Sequence, residues 1–153
     1  MPLELTSSEP DDLPRIVEMK VAMFKEAGHE NLLSAATAER VIEDYLRLYR
    51  DSLAIHFIAK ESRKIVASAG AFIKSDLPFR YFNPGIYGFI GDVFTEMEFR
   101  GQGISTRLNR DALEWLKNRN ITMVRLLASD AGRPIYERLG FQPTDEMVLT
   151  LET

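Results

Sequence analysis

The sequence predicts a mixed α/β fold whose elements follow the order βααβββαβαβ, in a single domain spanning residues 1–153. Three observations carry that expectation. Segments with helical spacing of apolar residues alternate with short β-rich segments, the pattern of helices laid on the faces of a sheet. One β-rich segment, Ile86 to Thr95, leads through a glycine-bearing turn directly into a helical stripe. Apolar residues make up 45% of the 153 positions, enough for one sizeable core.

Taken in order, MPLELT suits a first strand, and the acidic SSEPDDLP separates it from a helix on which Ile16, Met19, Met23 and Phe24 recur at helical spacing. Gly28 supplies that helix with a stop. Thr37 reads as the cap of a second helix, AERVIEDYLRLYR, whose Val41, Tyr45, Leu48 and Tyr49 share one face. AIHFIAK and KIVASAGAFIK flank the polar ESRK and read as an antiparallel hairpin. The loop SDLPFRYFNPG that follows, with two prolines and three aromatics, is either a connector or a lip that touches substrate. IYGFIGDVFT is then a strand interrupted by glycines. In ISTRLNRDALEWLKNR, Ile104, Leu108, Ala112, Trp115 and Leu116 form a helical stripe. ITMVRLLAS is a strand, RPIYERLG a short helix closed by Gly140 and capped by Asp130, and FQPTDEMVLTLE a final strand.

Composition removes several function classes. A net charge of −4 and a pI near 5.3 argue against a nucleic-acid surface, which needs clustered Lys and Arg. The chain has no cysteine, so it forms no disulfide, offers no thiolate to a metal and carries no acyl group on sulfur. Any acyl chemistry is therefore direct. MPLELTSSEPDD is not a signal peptide and no apolar run approaches membrane-span length, so a cytoplasmic location is the default expectation. His29 falls in a polar stretch and His56 among apolar strand residues. With no cluster of ligands around them, no metal is expected.

The chemistry concentrates in EFRGQGISTRL, residues 98–108. Here the amides of Gly101 through Ser105 gather at a helix N-terminus, where unpaired N–H groups and the helix dipole favour an anion. Missing side chains at Gly101 and Gly103 let a phosphate approach the backbone. The stretch lacks the lysine of GxxxxGK[ST] and the spacing of GxGxxG. An ordinary tight turn before a helix is the competing reading.

Arg100-Gly101-Gln102-Gly103-Ile104-Ser105 resembles the acetyl-CoA-binding signature of the GNAT superfamily of N-acetyltransferases: Arg or Gln, two variable residues, Gly, one variable residue, then Gly or Ala. Ser105 departs from the last position. Downstream, Arg133 to Phe141 is similar to the family's Leu-Tyr-x-x-x-Gly-Phe ending, with Tyr136, Gly140 and Phe141 in register. The two motifs together are more specific than either, and the resemblance is strongest from Ile86 onward. It implies a mainly antiparallel, twisted sheet of six to seven strands flanked by about four helices. It further implies acetyl-CoA as acyl donor, direct transfer to a small-molecule or protein amine in a ternary complex, and a homodimer as a family-level expectation. Nucleic-acid and membrane partners are not expected. A non-catalytic acyl-CoA sensor is the alternative function.

The resemblance also implies site residues. Backbone groups of Val93, Phe94 and Thr95 would pair with the pantetheine arm, and Arg100 to Ser105 would cradle the diphosphate. Tyr136 would either donate a proton to the departing sulfur or only hydrogen-bond to it; by itself it reads equally as a half-buried packing residue. No base carries over from the resemblance, since Tyr87 and Phe89 stand where some relatives have a glutamate; the nearest carboxylates, Asp92, Glu96 and Glu98, or water would remove the ammonium proton, although each carboxylate reads first as a solvated charge beside a turn. Relatives often place asparagine where this chain has Ser129.

Overall fold

The computed structural model describes residues 2–28, 35–78 and 85–151. His29 and the aromatics of the 75–85 loop lie outside the described residues. Five strands form one sheet in the order β1 (Glu4–Ser7), β2 (Ala54–Glu61), β3 (Lys64–Ser75), β4 (Ile86–Thr95) and β5 (Val124–Leu126). All neighbours are antiparallel except β4 and β5, which run parallel and are joined through helix α3 (Ile104–Lys117). Helices α1 (Leu13–Glu26), α2 (Ala35–Arg50) and α4 (Arg133–Arg138) complete the fold.

The hairpin read from ESRK is present. Glu61 pairs with Lys64, and the intervening Ser62 and Arg63 both take positive φ (49° and 71°), the twist that a two-residue hairpin turn demands. Gly28, at φ 78°, ends α1 as expected. Thr37 is not the cap of α2, because the helix already begins at Ala35. Asp130 does not cap α4 either: the N-cap position is Gly132, with no side-chain capping bond, and the Ser129 hydroxyl accepts the Gly132 N–H at 3.1 Å just ahead of the helix.

The largest departure is the strand count, five among the described residues instead of six to seven. Residues 141–151 form no strand, and Met147, Val148, Leu149 and Leu151 are each at least 79% exposed. The physical reason lies in both would-be partners. β5 offers a ladder only three residues long, and Pro143 removes a donor from the returning segment.

Two cores flank the sheet. On one face, α1 and α2 pack Leu13, Ile16, Val17, Met19 and Tyr45 against Ala54, Ile58, Ile65 and Phe72. On the other, α3 packs Ile104, Leu108, Ala112 and Leu116 against Ala59, Ala67, Ala69, Ala71 and Ile90. The small strand residues bring α3 close, and Leu108 and Leu116 are fully buried there, each stabilising by about 2 kcal/mol.

Candidate active site

The site is built around the far end of β4. β5 pairs with β4 only at Gly88, Phe89 and Ile90, whereas β3 stays paired as far as Thr95. From Gly91 onward β4 therefore has a strand on one side only. A bulge marks the change: Gly91 pairs with Gly70 and Phe94 with Ser68, so Asp92 and Val93 together face the single Ala69. Asp92 takes φ 55°, a left-handed conformation costing a non-glycine residue on the order of 1–2 kcal/mol. Its carbonyl accepts the Ser68 hydroxyl at 2.8 Å, which helps to hold the bulge.

Past Thr95 the chain makes a short turn, Met97–Phe99, and reaches the glycines. Gly101 and Gly103 have φ of 78° and 79°, and a Cβ at either would meet nothing within 4 Å. Both glycines are thus required by backbone conformation, and the turn faces open space. The first intrahelical bond of α3 runs from the Arg107 N–H to the Gly103 carbonyl, so the amides before it emerge at the helix N-terminus. Ile104 buries its side chain against Val66 and Ala67 and anchors that end. Ser105 is fixed from behind: the buried Asn109 amide donates to its carbonyl at 2.8 Å and to its hydroxyl at 3.3 Å. Backbone, dipole and open cradle all fit a diphosphate.

The Arg100 side chain turns away from the cradle. Its Nε donates to the Thr95 carbonyl at 2.7 Å, and its other nitrogen meets both oxygens of Glu26 at 2.9 and 3.0 Å. It ties the turn to the end of α1, and Gln102 beside it is exposed. Val93 packs toward α3 and Phe94 toward α1 and α2. Beyond the end of β5, residues 91–94 offer their outer backbone edge.

Beneath the bulge lies a polar network that reasoning from sequence did not assemble. The Asp92 carboxylate accepts from His56 Nε2 at 2.8 Å, from the Tyr45 hydroxyl at 2.6 Å and from the Lys20 ammonium. His56 Nδ1 shares a 2.5 Å hydrogen bond with the Tyr49 hydroxyl, which lies 2.6 Å from the Ser8 hydroxyl. Burial alone would raise the Asp92 pKa. The hydrogen bond and electrostatics of His56, followed by Lys20, outweigh burial and hold the carboxyl well below the usual range. Tyr45 is pushed up by burial and then by Asp92. Gly70 makes the arrangement possible, since a Cβ there would come within 2.9 Å of the His56 and Phe72 rings.

Asp92 is therefore not the solvated charge read from its position, being only 6% exposed. Nor is Glu96 free, because it pairs with Arg15 and lies 3.7 Å from Lys64. Glu98 remains an exposed carboxylate, as read. His56 alternating with Ala54 and Ile58, and Tyr45 on the apolar face of α2, were the legible hints of a buried polar group. No local spacing connects them to Asp92.

Tyr136 sits on α4, 8% exposed, with its ring edge-on to Phe141 at 6.0 Å. Phe141 in turn packs into the cluster of Ile90 and Leu116, bringing the second motif beside the β4–β5 junction. Gly132 lets the chain pass beneath the Tyr136 ring, where a Cβ would come within 3.0 Å. Among the described residues the Tyr136 hydroxyl makes no hydrogen bond, and burial raises its pKa, so it stays protonated at neutral pH.

The profile of the acetyltransferase (GNAT) family matches residues 20–141. The chain belongs to the GNAT acetyltransferase family. Among solved GNAT structures and related acetyltransferases, a predicted acetyltransferase with acetyl-CoA from Clostridium acetobutylicum is 26% identical, with TM-score 0.88 over 98% of this chain and 96% of the other. A GCN5-related N-acetyltransferase from Ralstonia eutropha has the same identity and TM-score over 98% and 99%. N-alpha-acetyltransferase 30 of Schizosaccharomyces pombe is 39% identical over 57 residues, 35% of this GNAT chain and 38% of that relative. The chain thus matches little more than a third of that relative's length. Among the described residues no helix is long and apolar enough to cross a membrane, and no three His, Asp or Glu side chains converge as metal ligands.

Proposed function

We propose that this GNAT chain is a cytoplasmic, single-domain N-acetyltransferase that moves an acetyl group from acetyl-CoA directly to a primary amine in a ternary complex. The observation that carries the reading is the open glycine turn at the N-terminus of α3, lying at the end of a strand that has just lost its β5 neighbour. The backbone from Gly101 to Ser105 holds the diphosphate, and the outer edge of Val93, Phe94 and Thr95 orders the pantetheine arm as an added strand would. Arg100 positions the turn through Glu26 and the Thr95 carbonyl. Acetyl-CoA supplies the activated acyl group. Tyr136 keeps its proton at the phenolic oxygen and presents it to the leaving sulfur, as donor or as hydrogen-bond partner.

The engaged state of Asp92 and Glu96 leaves Glu98 or water to take the ammonium proton, with Asp92 fixing the bulge from behind. That same engagement supports a second reading, a non-catalytic acyl-CoA sensor. The Tyr136→Phe variant separates the two. For an enzyme, CoA release with an amine panel falls by about 100-fold while the thermal shift given by acetyl-CoA is unchanged. An acetyl-CoA shift with no CoA release from any amine by the wild-type chain would leave the sensor.

A further inference from the structure

The sequence is acidic overall, yet the sheet face opposite α3 gathers positive charge along the first half of β4, ahead of the bulge. Register places Lys74 opposite Tyr87, Phe72 opposite Phe89, and Phe89 opposite Arg125, so these side chains share one face, that of α1 and α2. The Lys74 ammonium lies 4.0 Å from the centre of the Phe89 ring, and the Arg125 guanidinium 5.4 Å from that of Tyr87. Lys20 reaches the same region from α1, with its ammonium on Asp92. Burial and then the charges of Arg125 and Lys20 lower the Lys74 pKa, with Asp92 acting in the opposite sense, which places all four groups within electrostatic reach of one another.

The opposing charges are already committed. Asp92 is shared among Lys20, His56 and Tyr45, and Arg125 is met by Glu146. Among the described residues no carboxylate forms an ion pair with Lys74, whose contact is the Phe89 ring. A cation held on an aromatic floor without an acid beside it is a ready receptor for an anionic group.

We infer that the acceptor amine carries an anionic group, carboxylate or phosphate, and that Lys74 on its aromatic floor reads it, with Arg125 alongside. The inference rests on the acetyl-transfer reading for the position of the reacting amine, past Gly91 where β4 leaves β5. From Phe89, beneath the Lys74 ammonium, to Gly91 is two residues of strand, about 7 Å. Amine and anion are thus separated by a few bonds, on a small molecule or at a chain terminus. The acidic whole-chain charge, which favours a cationic amine, is overruled by the local arrangement.

The test uses the full chain saturated with CoA. Its thermal midpoint is followed with aminocarboxylates of two to six carbons, the matching amino alcohols, and glucosamine with and without a 6-phosphate. Turnover is measured on the same set with acetyl-CoA. The inference expects the anionic member of each pair to bind at least tenfold tighter, with the advantage falling at high salt. It also expects Lys74→Gln to erase the advantage, Lys74→Arg to keep most of it, and acetyl-CoA binding to be unaffected in both. The carboxylate and phosphate series show which anion is read. Equal binding of paired compounds, or preference for the uncharged member, overturns the inference even where turnover is brisk. A binding preference without CoA release from any amine retires acetyl transfer and leaves the anion site standing.

Discussion

The two faces of the sheet are held by different forces. The α3 face is held by apolar packing: small and aliphatic side chains meet Leu108, Ala112 and Leu116, and α3 is pressed close enough for its N-terminus to hold a fixed place beside β4. The α1 and α2 face carries a comparable apolar core but encloses a charged carboxylate, a histidine and two tyrosine hydroxyls under the bulge. Apolar packing tolerates small shifts, whereas the network demands fixed directions at every atom. In the proposed reading the α3 face seats the cofactor through its backbone, while the opposite face shapes the strand and presents charge to the acceptor.

The sharpest way to break the contrast is Asp92→Ala, which leaves Lys20 and His56 facing a vacated site. It should cost about 3–5 kcal/mol, read from urea midpoints, and should reduce turnover in the material that stays folded. Its pH signature is specific. The folded-state pKa of Asp92 lies below its unfolded value near 3.9, so the stability it contributes is present above that value and is lost as pH falls toward the folded pKa. Asp92→Asn should therefore flatten the acid limb of the stability curve. Leu108→Ala, on the apolar α3 face, should cost about 3 kcal/mol and leave the shape of that limb unchanged. An acid limb altered equally by both variants would erase the distinction between the faces. The smallest expected effect belongs to Gly101→Ala: about 1 kcal/mol of strain at φ 78°, with a reduced acetyl-CoA thermal shift because the added methyl enters the open cradle.

The cofactor side was legible in the residues because its signals are local. Positive φ at Gly101 and Gly103, the stripe from Ile104 to Leu116, and the stop at Gly140 each announce themselves within a few positions. The acceptor side was not, because Lys20, Tyr45, His56, Lys74 and Asp92 come from five different elements and meet only through register. The final strand failed for a related reason. Its alternating apolar residues were a fair local signal, but a strand exists only with a partner, and β5 offers three residues.

The extra residue at Asp92 is also a change of parity. Before it, odd-numbered side chains of β4 point toward α1 and α2 and even-numbered ones toward α3, as Phe89 and Ile90 show. After it the assignment is reversed, Val93 turning to α3 and Phe94 to α1 and α2. One strand thus runs in two frames, and the hand-over falls where the proposed reaction would bring cofactor and acceptor together. Were the bulge straightened with every residue kept, regular alternation would send the Asp92 carboxylate and the Phe94 ring into the tight alanine-lined contact with α3 and turn Val93 to the opposite face, so the extra residue is what lets both frames coexist on one strand.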